Sequence, residues 1–230
     1  MLLLFDIDGT LLLRASAEHA HALRDALEHV FGVQTDERVD AAGRTDTAIA
    51  RDLARLCGVE EARFDAGLGE LVACCAERYA EHCPPSLAER VAPGVAALLD
   101  ALAAREDVQL SLVTGNYEPI ARLKLERAGV GHHFEAGQGA FGSDSEDRLA
   151  LPAIARERAG GHPRTGTVVI GDTPRDIACA RADGVRVLAV ATGLYSADEL
   201  AEADAVAGDA FALPELIARE ADLAYRTSRL

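Results

Sequence analysis

The spacing of apolar residues changes along the chain and divides it into two kinds of region. A short apolar run at residues 2–7, broken only by an acidic residue near its end, is typical of a buried strand. Beyond it, three stretches with helical spacing start near residues 16, 47 and 64 and reach to about residue 88. No strand pattern interrupts them, so we expect this part of the chain to be helical throughout.

After Pro93 the pattern becomes one of strands separated by helices. Apolar runs predict four further strands, at 108–113, 167–170, 185–190 and 204–207. Helical spacing predicts five helices, at about 95–102, 118–128, 149–159, 174–183 and 212–220. This alternation indicates a parallel sheet covered on both faces. We therefore predict an α/β core formed by 1–14 and 89–230, with an all-helical cap domain inserted after strand 1 at 15–88.

Composition and charge narrow the choice of partners. The 230 residues are 49% hydrophobic, enough for one sizeable core and a smaller inserted module. The net charge of -15 repels nucleic acid and anionic lipid surfaces, so we expect neither as a partner.

The cysteines and the apolar segments predict a cellular location. The five cysteines include no CxxC pair, so we expect reduced thiols and no zinc site. The first residues lack the features of a signal peptide, and no apolar run approaches the roughly 20 residues of a membrane span. We expect a cytoplasmic protein, as a monomer or a homodimer.

Acidic and polar side chains follow three of the predicted strands. The clusters are DIDGT at 6–10, TGN at 114–116 and GDTPRD at 171–176. The carboxyl ends of the strands in an open α/β sheet form its ligand site, so these clusters are expected to meet. Carboxylates gathered in one place repel one another unless a cation is present, and oxygen ligands suit Mg2+. Such a cation would attract a phosphate and leave a carboxylate free to act as nucleophile.

The three motifs, in this order and each behind an apolar strand, resemble those of the haloacid dehalogenase-like hydrolase superfamily. The resemblance covers nearly the whole chain, including a helical insert where this superfamily carries its first type of cap. It implies a Rossmann-like core and is closest to phosphoglycolate-phosphatase-type members with a helical cap. The implied activity is Mg2+-dependent hydrolysis of a small phosphorylated metabolite.

The resemblance also implies roles for the acidic residues. Asp6 is expected to be the nucleophile that forms an aspartyl-phosphate. Asp8 is expected to protonate the leaving alcohol and then to activate water. The Asp6 and Asp172 carboxylates and the Asp8 main-chain carbonyl would bind Mg2+. Asp176 would support the metal shell or orient the basic residue of the site.

The phosphate group needs further ligands. By the same resemblance, the Thr114 hydroxyl would bind a phosphoryl oxygen, with Gly115 and Asn116 shaping its loop. Many relatives carry a lysine between the second and third motifs, and this chain has none there. Arg148 is our candidate, because arginine stays charged and can bind phosphate through two nitrogens. Lys124, the only lysine, is the alternative.

The inserted segment offers weaker candidates. Arg44 and Thr45 resemble a loop that contacts substrate in relatives. Thr45 or Asp46 could equally cap the following helix. His19 and His21 lie near the predicted hinge of the insert, where a surface or core role is the more common one.

The residues also limit the type of reaction. Releasing a halide needs no proton, so an acid at Asp8 argues against a dehalogenase. Residues 15–88 contain no lysine, which excludes a phosphonate-cleaving enzyme that forms a Schiff base there. A sugar phosphomutase uses the same pair of aspartates and stays open as an alternative. A non-catalytic binding protein on this scaffold is the third hypothesis.

Overall fold

The computed structural model describes residues 1–227, which form a parallel five-stranded sheet and the helices around it. The strand order is β2-β1-β3-β4-β5. The strands are β1 (Leu2–Phe5), β2 (Gln109–Leu112), β3 (Thr167–Gly171), β4 (Arg186–Val190) and β5 (Ala205–Ala207). Every pair of neighbouring strands is parallel. The predicted α/β fold class is therefore confirmed.

Helices cover both faces of the sheet. They are α1 (Ala17–Phe31), α2 (Asp46–Leu56), α3 (Glu61–His82), α4 (Val95–Ala103), α5 (Glu118–Ala128), α6 (Leu151–Arg158), α7 (Pro174–Asp183) and α8 (Leu213–Thr227). Side chains alternate along β1, so Leu3 and Phe5 join one core cluster while Leu2 and Leu4 join the other. The first cluster includes residues of α4, α5 and α8, and the second includes residues of α6 and α7. Burial on both faces explains why most residues of the strands are apolar.

Helices α1 to α3 belong to residues 15–88, here called the helical segment. Helix α1 packs along α3, where the rings of Phe31 and Phe64 stack with centroids 5.6 Å apart. The chain leaves and re-enters the sheet side by side, because the Leu13 amide donates to Arg90 O and the Ala92 amide donates to Leu11 O. Two adjacent connections therefore join the helical segment to the sheet.

Most predicted elements lie within two residues of the observed ones, and the differences have simple causes. Helix α8 runs to Thr227 instead of ending near residue 220, because no proline or glycine interrupts its last turns. The helix predicted at 149–159 starts as a 3-10 turn at Arg148–Ala150, and Pro152 falls in the first turn of α6. Short 3-10 turns have no periodic signal in a sequence.

The thiols agree with the expectation of reduced cysteines. All five are free, and four of them are buried. In the part of the chain that is described, none of the helices is both long enough and apolar enough to cross a membrane.

Candidate active site

Three buried carboxylates meet beyond the carboxyl ends of β1 and β3. Asp6 follows β1, Asp172 follows β3, and Asp176 lies in the first turn of α7. Carboxylate oxygens of the three residues lie within 4.8 Å of one another. The parallel pairing of β1 with β3 brings the first two together.

This cluster carries more negative charge than its surroundings balance. Burial raises the pKa of Asp6 to about 7, although the Arg148 guanidinium opposes the shift. Burial also raises the pKa of Asp172 to about 8, and the neighbouring Asp6 and Asp176 add to it. A cation bound between the carboxylates would offset this repulsion between negative charges. Because every donor is an oxygen, the residues fit a hard divalent metal ion.

Asp172 is held in place by small neighbours. The Thr10 hydroxyl donates to its Oδ1 over 3.1 Å. A Cβ atom on Gly9 or Gly193 would lie 2.1 or 1.7 Å from Asp172 Oδ2, so both positions need glycine. Gly9 also has a φ of +90°, which other residues rarely adopt. The Gly-Thr of the first motif thus positions the third motif.

Arg148 is buried and joins Asp6 to Asp176. Its Nη2 lies 3.4 Å from Asp6 Oδ1 and 2.5 Å from Asp176 Oδ1. The second oxygen of Asp176 accepts hydrogen bonds from the amide and hydroxyl of Thr173, which closes a capping box on α7. Asp176 therefore caps the helix and orients Arg148 at once. Within residues 1–227, the buried Nε of Arg148 has no hydrogen-bond partner.

Asp8 points away from this cluster. Its Oδ2 accepts hydrogen bonds from Lys124 Nζ (2.6 Å) and Asn116 Nδ2 (2.8 Å). Lys124 also donates to Asn116 Oδ1. Burial alone would raise the pKa of Asp8. The nearby Lys124 and His19 have a larger opposite effect, so the pKa of Asp8 lies below its usual range. The buried Oδ1 has no partner in the described part of the chain.

The loop after β2 lies under the helical segment. Thr114 is fully buried, and its hydroxyl oxygen accepts a hydrogen bond from Asn116 Nδ2 over 2.9 Å. A Cβ on Gly115 would lie 1.9 Å from Arg44 O, so only glycine allows this approach. Gly115 O also accepts a hydrogen bond from the Asp46 amide.

The candidates in the loop before α2 have different surroundings. The Arg44 guanidinium pairs with Asp52 (2.7 Å) and lines the cavity described below. Thr45 is the N-cap of α2 and donates to Glu146 O, so its hydroxyl faces the core loops. Asp46 accepts a hydrogen bond from the Tyr117 amide over 2.7 Å.

The two candidate histidines of α1, His19 and His21, differ as well. His19 is buried between the site and Asp46: its Nδ1 lies 3.2 Å from Lys124 Nζ and its Nε2 lies 3.0 Å from Asp46 Oδ2. His21 is stacked on His82 instead and takes no part in the site. His19 is therefore a core residue, as such histidines commonly are, but its ring lies in a buried polar network with Lys124 and Asp46.

A cavity of about 740 Å3 lies between the strand ends and the helical segment. The sheet side contributes residues of the three motifs and Arg148, which lies between the second and third motifs. The motif residues are Asp6, Asp8, Gly9, Thr114, Gly115, Asn116, Asp172 and Thr173. The strand ends, the helical segment and the loop at Thr192 therefore enclose one site.

The central place of Lys124 could have been found in the sequence. The buried stripe of α5 runs through Ile120, Lys124 and Ala128, at intervals of four residues. A lysine on the apolar face of a helix needs a buried partner. The contacts that Thr10, Thr192 and Gly193 make in the site have no comparable signal in the sequence.

Comparison with known proteins identifies the family. The sequence model of the haloacid dehalogenase-like hydrolase family matches residues 3–181, more than three quarters of the chain. A second, HAD-hydrolase-like family matches residues 148–216. The chain therefore belongs to the haloacid dehalogenase-like hydrolase family, and the resemblance seen in the sequence is confirmed.

Relatives of this chain include phosphatases. A phosphoglycolate phosphatase of Rhodospirillum rubrum is 32% identical over 217 residues, which cover 89% of this chain and 84% of the relative. A phosphoglycolate phosphatase of Mesorhizobium japonicum is 28% identical over 210 residues, covering 84% and 83%. The prediction of a phosphatase-type enzyme of this family is thereby confirmed.

Solved structures share the fold. CbbY of Rhodobacter sphaeroides, in complex with phosphate, superposes with a TM-score of 0.65 at 21% identity, covering 90% of this chain and 93% of that one. A β-phosphoglucomutase of Clostridium difficile gives 0.64 at 15% identity, covering 95% of each chain. At these identities the likeness shows the fold alone.

Proposed function

We propose that this protein is a Mg2+-dependent phosphatase that hydrolyses a small phosphate monoester through an aspartyl-phosphate on Asp6. The observation that carries the proposal is the contrast between the two aspartates of the first motif. Asp6 lies among the carboxylates and beside Arg148, whereas Asp8 is held by Lys124 with one oxygen unpaired. Two carboxylates in different surroundings suit two roles, nucleophile and acid/base.

In the first step a carboxylate oxygen of Asp6 forms a bond to phosphorus. The bond between phosphorus and the ester oxygen breaks, and its electron pair stays on that oxygen. Asp8 in its protonated form donates a proton through Oδ1 to that oxygen, and the alcohol leaves. The unpaired Oδ1 supports this role, because Oδ2 is already engaged by Lys124 and Asn116.

The second step regenerates the enzyme. The Asp8 carboxylate left by the first step removes a proton from a water molecule, whose oxygen bonds to phosphorus. The bond between phosphorus and the Asp6 carboxylate breaks, releasing inorganic phosphate and free Asp6. Fixed geometry at Asp8 matters in both steps, because a general base must lie within hydrogen-bond reach of the proton.

The buried carboxylates would hold the metal. The Asp6 and Asp172 carboxylates and the Asp8 main-chain carbonyl are the proposed ligands. Asp176 would not bind the metal directly and would instead hold Arg148 in place. The ion would neutralise the charge of the phosphoryl oxygens. The chain itself would supply the Thr114 hydroxyl and the unpaired Nε of Arg148 to those oxygens.

Lys124 has another role in this proposal. Its ammonium group contacts Asp8, Asn116 and His19, and it is fully buried. We assign the phosphate contact to Arg148 and the positioning of Asp8 to Lys124.

Residues 15–88 would act as a cap. Its loop before α2 contacts the core at Gly115 and at Glu146, over the cavity that contains the candidate nucleophile. A cap excludes bulk water and large substrates from a reacting phosphate. A small phosphorylated metabolite is thus the proposed partner, and the free thiols suit the reducing cytoplasm.

The proposal can be tested by measuring inorganic phosphate released from p-nitrophenyl phosphate and a panel of small esters, with Mg2+ and with EDTA. We expect release that requires Mg2+ and falls below about one thousandth of the parent rate in Asp6→Asn. Asp198→Asn, at an exposed position, is the matched control. Full activity in Asp6→Asn or in EDTA would refute the mechanism. Isomerisation of a sugar phosphate without net phosphate release would favour the phosphomutase instead.

A further inference from the structure

The two sides of the cavity differ in chemistry. The sheet side carries the carboxylates, the Thr114 and Asn116 side chains and Arg148. The side chains that the helical segment and the nearby loops contribute are largely apolar. The larger apolar side chains among them are Leu13, Leu23, Val39, Ile49 and Leu194, and the polar ones are considered below. Leu194, in the loop after β4, lines the cavity and is 86% exposed.

Polar side chains on the helical side are already used by the protein. His19 lies between Lys124 and Asp46, at 3.2 and 3.0 Å. Asp46 also accepts a hydrogen bond from the Tyr117 amide. A ligand that bound either side chain from the cavity would compete with these buried contacts.

The charged residues of the loop before α2 are likewise paired. Arg44 contacts Asp52 at 2.7 Å and donates to Ala48 O. Asp40 pairs with Arg175 over 2.8 Å. These pairs neutralise the charges within the wall of the cavity.

Hydroxyl groups at the rim of the sheet side are also engaged. Thr192 donates to Gly9 O over 2.6 Å. The Thr173 hydroxyl donates to Asp176 Oδ2 over 2.7 Å. Neither can donate to the part of a substrate that extends away from the phosphate.

Two polar side chains of the helical segment and its hinge stay available at the cavity. Arg14 and Ser16 are exposed, and neither side chain has a partner in the portion of the chain described. An ion pair with so exposed an arginine contributes little, because water and salt screen it. The helical side therefore offers apolar contact and little directed hydrogen bonding.

We propose that the substrate of this site is the phosphate ester of an alcohol with an apolar body, such as an aryl or alkyl group. The proposal rests on the phosphatase function proposed above. A sugar would bury several hydroxyl groups without partners, and each such group weakens binding. A glycolate group would fill little of a cavity of about 740 Å3 and would leave the leucines uncovered.

The first test compares esters of primary alcohols, whose leaving groups react similarly. We expect kcat/KM for benzyl phosphate to exceed that for glycerol 1-phosphate, glucose 6-phosphate and phosphoglycolate by about tenfold or more, as expected for one buried aryl group. A value for any of these three equal to or above that for benzyl phosphate would overturn the proposal. So would a preference for phosphoglycolate that disappears in Arg14→Gln.

Variants of the apolar wall give the second test. Ile49→Ser and Leu194→Ser should each lower the ratio of kcat/KM for benzyl phosphate to that for phosphoglycolate about fivefold. Leu194 is so exposed that its replacement does not endanger folding. Leu56→Ser, at an exposed leucine outside this cavity, is the matched control. Equal effects of the three variants, or none, would contradict the proposal.

The failure of each proposal has its own signature. Metal-dependent release from p-nitrophenyl phosphate without a preference for benzyl phosphate would overturn the apolar leaving group and leave the phosphatase in place. Hydrolysis of no ester by the parent protein would overturn both.

Discussion

Lys124 Nζ lies 2.6 Å from Asp8 Oδ2, and the lysine is fully buried. The same nitrogen lies 3.2 Å from His19 Nδ1, and His19 Nε2 lies 3.0 Å from Asp46. His19 and Asp46 belong to the helical segment, whereas Asp8 follows β1 of the sheet and Lys124 lies in α5, which packs on the sheet. The position of the candidate acid/base is thus linked to the docking of the helical segment.

Replacing Lys124 by methionine should impair the acid/base steps. The change removes the cation that holds Asp8 and Asn116, so Asp8 Oδ2 loses its strongest partner. We expect kcat to fall about 100-fold, the usual effect of losing a positioned acid/base, with a smaller change in KM. Steady-state kinetics and a thermal unfolding curve would separate this effect from loss of fold. A folded variant with the parental kcat would show that Lys124 does not position Asp8.

Arg148 should matter through its charge. Arg148→Met removes the cation between Asp6 and Asp176 and the unpaired donor at Nε, so we expect kcat/KM to fall by about 100- to 1,000-fold. Arg148→Lys restores a positive charge and should recover most of the loss. The matched control is Arg158→Met, a partly exposed arginine paired with Asp144. Equal kinetics for Arg148→Met and the parent would show that Arg148 does not contribute to catalysis.

The sheet and its site clusters were predictable from local patterns. Runs such as residues 108–113 and 167–170 are mostly apolar, as is typical of strands buried on both faces. Parallel pairing then places every carboxyl end at one edge, so the meeting of Asp6 and Asp172 follows from topology. The pattern needed no knowledge of side-chain packing.

Contacts between the helical segment and the rest of the protein, which contains the sheet, were not predictable in this way. The approach of Asp46 to Tyr117 and of His19 to Lys124 depends on how α1 and α2 dock. No periodicity encodes that docking. Thr45 shows the same limit, because its sequence fits a substrate contact and a helix cap equally well, and the structure gives it the cap.

Gly115→Ala should disturb this docking. The added methyl carbon would lie 1.9 Å from Arg44 O, where backbone meets backbone and no flexible side chain can give way. We expect faster hydrogen exchange of the amides at 42–48 and at least a tenfold lower kcat/KM, since small displacements at reacting groups cost about that much or more.

A control for this substitution lies in α3. Gly69 is helical, and a Cβ there would have no neighbour within 4 Å. Gly69→Ala should therefore leave activity unchanged and raise stability by about 0.5–1 kcal/mol. Unchanged exchange at 42–48 in Gly115→Ala would contradict the close contact between Gly115 and Arg44.

The metal-free protein should lose stability as the pH rises from about 5.5 to 8.5. In the folded chain the pKa values of Asp6 and Asp172 are raised to about 7 and about 8, above the values of unfolded aspartates. The folded state therefore binds more protons than the unfolded state in this window, so the free energy of unfolding decreases with pH. We expect a fall on the order of 5 kcal/mol, measured by urea unfolding in EDTA.

Two further measurements identify the source of this pH dependence. Asp172→Asn removes one of the two titrating groups, so its unfolding free energy should vary less with pH than that of the parent. Saturating Mg2+ should stabilise the parent most at pH 8.5, where both carboxylates are ionised and no proton competes for them. A parent whose stability in EDTA stays constant or rises over the window, or an equal Mg2+ effect at both ends of it, would show that these carboxylates do not form a proton-linked metal site.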